Sequence, residues 1–169
     1  MSTILNNKVA ESGLITIDLA SFIPTNEIVL FDIKPFLFME LILKEKDFRA
    51  ALLTTDWSVY ADKIVGIYCS TDAIIPMWAN MLIVSYLQPV AQAVYFGAED
   101  KVREQLILNA INQVNPNDYA DQRIVIKGCG ETKIEESAYV AITQKLRPSA
   151  KSIMFGEPCS TVPVYKRKD

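Results

Sequence analysis

The sequence predicts an α/β fold, a mainly parallel sheet flanked by helices and built around a duplicated βαβ unit. Three observations lead there. Apolar runs of strand length alternate with longer stretches of helical periodicity, the pattern of parallel strands joined by crossover helices. Residues 60–97 align without a gap on residues 119–156, an offset of 59 (119 − 60). At 169 residues the chain suits one domain, 1–169, with a core large enough to stand without disulfides or metal.

The duplication rests on identical pairs at structurally meaningful places. Tyr60/Tyr119, Ala61/Ala120 and Asp62/Asp121 lead into a strand; Ile67/Ile126 lies within it. Ile75/Ile134 and Ala79/Ala138 open a helix, and Leu87/Leu146, Pro89/Pro148 and Ala91/Ala150 close it. Phe96/Phe155 and Gly97/Gly156 end a second strand. Unrelated segments of ordinary composition would share only about two or three residues over this length.

Taken in order, residues 1–11 are polar and lack the apolar centre of a signal peptide. Residues 14–19 and 28–31 read as strands, and 35–43 and 45–54 as helical segments, the second exposing Lys46, Asp47 and Arg49 around the apolar anchor Phe48. The first copy contributes a strand at 64–68 and a helix at 76–88; the second, a strand at 123–127 and a helix at 135–146. Pro89 and Pro148 stand where helices stop, because proline cannot continue the hydrogen-bond ladder. Asp62 and Asp121 read as turn or cap residues ahead of their strands. Residues 99–113 form an amphipathic crossover helix, and 162–165 a short edge strand. If the copies pack about a local two-fold, their first strands meet at the centre of one sheet, in the order second–first, first–second.

Composition excludes several chemistries. There is no histidine, which removes Ser-His-Asp and Cys-His nucleophiles and any His-containing metal site. No P-loop, no dinucleotide fingerprint and no Cys-x-x-Cys occurs, so no nucleotide cofactor and no thioredoxin-type dithiol is expected. A net charge of −3 gives no reason to expect nucleic acid. The densest apolar stretch, 36–43, is far shorter than the ~20 residues of a membrane span, so no membrane association and a cytoplasmic location are expected. Three cysteines without close pairing agree with a reducing compartment. The helix from Pro76 is apolar on nearly every side, and with 36–43 it offers more hydrophobic surface than a small domain easily hides. A homodimer using one of these segments is expected.

The doubly wound arrangement places the working site at the carboxyl ends of the strands. The loops arriving there are Cys69-Ser70-Thr71-Asp72, Gly128-Cys129-Gly130-Glu131 and Glu157-Pro158-Cys159-Ser160-Thr161. Cys69, Cys129 and Cys159 would then converge on one edge, and three soft thiolates favour zinc, iron, copper(I) or an iron–sulfur cluster. Asp72, Glu131 or Glu157 could supply a fourth ligand; Ser70 and Ser160 would line the site, and Gly128 and Gly130 would let the backbone approach a ligand. This reading makes the protein a cysteine-ligated metal or iron–sulfur handling accessory protein. The alternatives are inert core cysteines, a thiol-based enzyme without metal, and a non-catalytic scaffold or interaction protein.

The stretches 41–49, Lys127-Gly128-Cys129-Gly130 and Met154-Phe155-Gly156-Glu157-Pro158-Cys159-Ser160-Thr161-Val162-Pro163-Val164-Tyr165-Lys166 resemble a family of small bacterial proteins, domain of unknown function 2480, over almost the whole chain. The resemblance carries over no catalytic residue. It implies a setting near iron–sulfur assembly systems, which favours the cluster reading and iron–sulfur assembly proteins as partners.

Overall fold

A computed structural model describes residues 13–128, 130 and 133–168. The chain falls into two compact units. One is Thr25–Gln105; the other joins the chain up to Pro24 with the chain from Leu106 onward. The first is thus inserted, in sequence, into the second, where one domain was expected.

The inserted unit contains strands β2 (Ile28–Asp32), β3 (Ile64–Tyr68) and β4 (Ala93–Phe96), helices α1 (Glu45–Leu53) and α2 (Met77–Leu87), and the start of α3 (Glu99–Gln113). Its sheet runs β2-β3-β4, all parallel, with Ile28 opposite Ile64 and Ile64 opposite Ala93. Central β3 is buried from Ile64 to Ile67, as its uninterrupted apolar run requires of a covered parallel strand. Gly66 is needed there: a Cβ would lie 2.7 Å from the Gly97 carbonyl oxygen and 2.7 Å from the Val102 side chain. The core joins Phe31 and Ile33 to Phe48 and Leu52 of α1 and Ala79, Ile83 and Leu87 of α2. Phe31 stacks on Phe36 at 5.1 Å and on Trp57 at 5.5 Å between ring centroids, and the Trp57 indole N–H donates to the Leu52 carbonyl.

The flanking unit contains β1 (Leu14–Asp18), β5 (Arg123–Lys127), α4 (Glu136–Leu146), β6 (Ser152–Glu157) and β7 (Ser160–Lys166). Its sheet runs β1-β5-β6-β7; β1, β5 and β6 are parallel, and β7 returns antiparallel along β6. Edge strand β7 is longer than the expected 162–165 and carries Pro163, whose missing N–H an edge position tolerates.

The order of elements is consistent with the duplication. Strand β3 and helix α2 recur 59 residues later as β5 and α4, and the 3-10 turn Trp57–Tyr60 recurs as Pro116–Tyr119. Asp56 and Asn115 cap these turns by accepting from the N–H groups of Ser58 and Asn117. Asp62 and Asp121 both turn through the left-handed region, φ 58° and 60°, and their N–H groups donate to the carbonyls of Val90 and Ser149. Gly97 and Gly156 close each copy at φ 126° and 120°.

The duplicated unit reaches further than 60–97. Phe48 and Leu52 of α1 correspond to Ile107 and Ile111 of α3, again 59 residues on, and all four are buried. Phe31 and Ile33 correspond in register to Ile17 and Leu19, which lie 14 residues earlier. Each copy therefore includes a preceding strand, and the copies are nested: β1 opens the flanking unit before the inserted unit begins.

That nesting corrects the expected strand order. The first strands of the copies do not pair; β3 lies between β2 and β4, and β5 between β1 and β6. The run Leu14-Ile15-Thr16-Ile17-Asp18 occupies the side of β5 that was assigned to β3, and Ile28-Val29-Leu30-Phe31-Asp32 does the same for β3. The helix expected at 35–43 is also absent. Residues Lys34–Phe36 make one 3-10 turn, and a tight loop follows, closed by the Phe38 N–H on the Ile42 carbonyl and the Ile42 N–H on the Phe38 carbonyl. Met39 and Glu40 sit there at φ 50° and 60°, which no right-handed helix accepts.

Candidate functional site

In the inserted unit, β2 ends in Asp32 and β3 leads into Cys69-Ser70-Thr71-Asp72. The Asp32 carboxylate accepts from the N–H groups of Lys34 and Ser70, both at 3.0 Å, and from the Ser70 hydroxyl. Partial burial pushes this carboxyl up, but the Ser70 hydroxyl, the two backbone N–H groups and the Lys34 charge together hold it below the usual range. The Thr71 hydroxyl donates to the Glu40 carbonyl at 3.0 Å, and Glu40 pairs with Lys34 at 3.2 Å. The cysteine loop is thereby fastened to the 34–42 segment.

Cys69 is half-buried against the core and borders a recess of about 620 Å³ lined by Ile33, Thr71, Ala73, Ile75, Met77, Asn80, Met81 and Phe96. The Asn80 Oδ1 is buried and, among the described residues, has no hydrogen-bond partner. A second, shallower recess joins Leu41, Ile42 and Leu43 to Asp72, Ala73, Ile74 and Pro76. Ala73 belongs to both, so the two recesses adjoin at that residue.

In the flanking unit, β1, β5 and β6 end in Asp18, Lys127 and Glu157. The Lys127 ammonium lies 3.7 Å from a carboxylate oxygen of each. Glu157, expected as a possible metal ligand, faces a cation. A Cβ at Gly128 would run into the Tyr139 hydroxyl, whereas Gly130 faces open space. Cys159 and Ser160 are exposed at the β6–β7 hairpin. Cys129 and Glu131 lie outside the described residues.

The gathering of three cysteines is expected from β3 and β5 being neighbours, and that adjacency is not found, since the two strands belong to different sheets. Cys69 stands in the inserted unit and Cys159 in the flanking one. Among the described residues no group of three or more Cys, Asp or Glu is placed to hold a metal ion. Sequence reasoning passed over Asp18, Asp32 and Lys127. The available signal was an apolar strand run ending in Asp-Leu or Asp-Ile, present at both Asp18-Leu19 and Asp32-Ile33.

A family model described as protein of unknown function (DUF2480) matches residues 3–167. The chain belongs to the DUF2480 family. No curated protein and no solved structure gives a match.

The family match spans both copies of this DUF2480 chain, and the copies have diverged at one shared place. A recess of about 770 Å³ lies between α4 and β6, with Glu136, Tyr139, Val140 and Phe155 where the recess of the inserted unit has Met77, Asn80, Met81 and Phe96. One repeat position thus carries a groove twice, with Met77 and Met81 on its helix wall in the inserted unit and Glu136 and Val140 in the flanking one. Among the described residues no helix is long and apolar enough to cross a membrane.

Proposed function

We propose that this DUF2480 protein is a non-catalytic interaction module whose working surface is the apolar face of its inserted unit. One observation carries the reading. Helix α2 buries Ala79, Ile83 and Leu87 and leaves Met77 and Met81 79% and 71% exposed one turn apart. Ile74, three residues before Met77, is 91% exposed. Contiguous apolar surface of this kind marks a docking site on a folded protein. The fold does not demand it, because the equivalent of Met77 in α4 is Glu136. A photo-crosslinking residue at position 77, with position 136 as control, tests the reading in cells. Adducts at 77 and none at 136 are expected; a silent position 77 would sink the proposal.

A second reading is favoured by the Cys69 thiol bordering the same recess as the unpartnered Asn80 Oδ1. A soft cation or iron–sulfur cluster handled there, with Cys69 as thiolate ligand, would make the protein a cytoplasmic metal accessory protein with iron–sulfur assembly proteins as partners. Protein purified anaerobically should then carry iron or zinc, lost on Cys69→Ser. Metal-free protein would reject this reading.

A further inference from the structure

We infer that the occupant of the apolar face is a second copy of this chain, bound face to face about a two-fold axis; the inference rests on the interaction reading above. The first argument is area. Aromatic side chains cover roughly 150–250 Å² each, and methionine, leucine and isoleucine lie towards the lower end of that range. At their exposures, Leu41, Ile74, Met77, Met81 and Phe96, which line the two recesses, together offer on the order of 600–700 Å². A standard stable interface takes about that much from each partner.

The second argument is shape. An isologous interface must be complementary to itself, so the same patch needs both projections and hollows. This patch has both: Ile74 and Met77 project, and the two recesses that share Ala73 receive. Methionine suits such a contact, because its unbranched chain adapts to an irregular partner. The third argument is charge. Around the 34–42 turn, Glu40 is paired with Lys34, and the Lys44 ammonium lies over the Phe38 ring at 3.3 Å from its centroid. The Glu40–Lys34 pair is neutral as a whole, and the exposed Asp72 lining the second recess is the charge that two copies would have to seat beside the Lys44 ammonium. A closed two-fold contact also uses the patch completely, whereas a head-to-tail contact would leave it open at one end of a filament.

The test is light scattering on the full chain at micromolar concentration, with Met77→Glu, Met81→Glu and the control Val140→Glu, which alters the α4 position equivalent to Met81. All three positions are exposed, and circular dichroism verifies the folded state of each variant. The expected masses are twice the chain mass for wild type and Val140→Glu, and the single chain mass for Met77→Glu and Met81→Glu. Peptide-resolved maleimide labelling gives an independent readout: Cys69 should react severalfold faster in Met77→Glu than in wild type, while exposed Cys159 is unchanged. A monomeric wild type overturns the inference. So does a dimer that both glutamates leave intact, or a wild type that grows into filaments. The crosslink at position 77 separates the two proposals: an adduct to a different protein keeps the interaction reading and rejects the second copy, and no adduct rejects both.

Discussion

Single residues fix the carboxyl ends of the strands, and their substitutions have predictable signs. At Gly66 a methyl group would meet the Gly97 backbone oxygen, which cannot swing aside as a side chain can. Gly66→Ala should therefore cost about 2 kcal/mol or more of stability. Gly130→Ala, in open space, should be near neutral. Chemical denaturation of both proteins checks the contrast. Asp32 allows a sharper statement about pH. Its folded pKa is depressed on balance, so its contribution is present above the unfolded carboxylate value of ~3.9 and is lost as pH falls through the folded value. Asp32→Ala should cost about 1 kcal/mol at neutral pH, where the Ser70 and Lys34 N–H groups lose a charged acceptor, and the gap should close below about pH 4. A gap that stays constant from pH 7 to pH 3 would show that the carboxylate charge contributes nothing.

At the scale of elements, the sequence carried local structure well and pairing poorly. Strands β3 and β5 were legible because short runs rich in isoleucine and valine, bounded by turns, fit little else. Helices α2, α3 and α4 were legible because their lengths and the following prolines agree. Partner choice was not legible, because a parallel strand with both faces apolar carries no local mark of which neighbour it takes. The loop at 38–42 was missed for a similar reason: Phe38, Met39, Leu41 and Ile42 look like helix-forming apolar residues, and only the left-handed turn at Met39 and Glu40 decides otherwise. The expected adjacency of β3 and β5 fell with the pairing, and with it the inference from adjacency that joined their two cysteine loops. What the repeat does predict is energetic equivalence. Ile83 and Ile142 occupy the same place in α2 and α4, and both are fully buried. Each substitution to alanine should cost about 2–5 kcal/mol, with similar values in the two helices. Urea melts of the two variants provide the check, and a several-fold difference would show that the copies have lost equivalent packing.

The nesting of the copies has a consequence for the whole molecule that follows from chain connectivity alone. Strand β1 pairs with β5 across a connection that contains the entire inserted unit, Leu14 lying opposite Arg123. With Thr25–Gln105 folded, that unit's chain is already compact, and the closure left for β1 is short. If the inserted unit unfolds, β1 must be held across a flexible loop of about a hundred residues, which weakens its pairing by roughly 1–1.5 kcal/mol relative to a loop of about twenty. Strands β2, β3 and β4 have no such dependence on the flanking unit, because their connections stay within Thr25–Gln105. The coupling should therefore run one way. In Ile83→Ala, native-state hydrogen exchange should quicken at the amides of β2, β3 and β4 and also at the amides of β1. In Ile142→Ala it should quicken in β1, β5 and β6 while β2, β3 and β4 keep their protection. Equal loss of protection in both units for both variants would mean that the chain unfolds as one cooperative body, and that nesting sets no order on its opening.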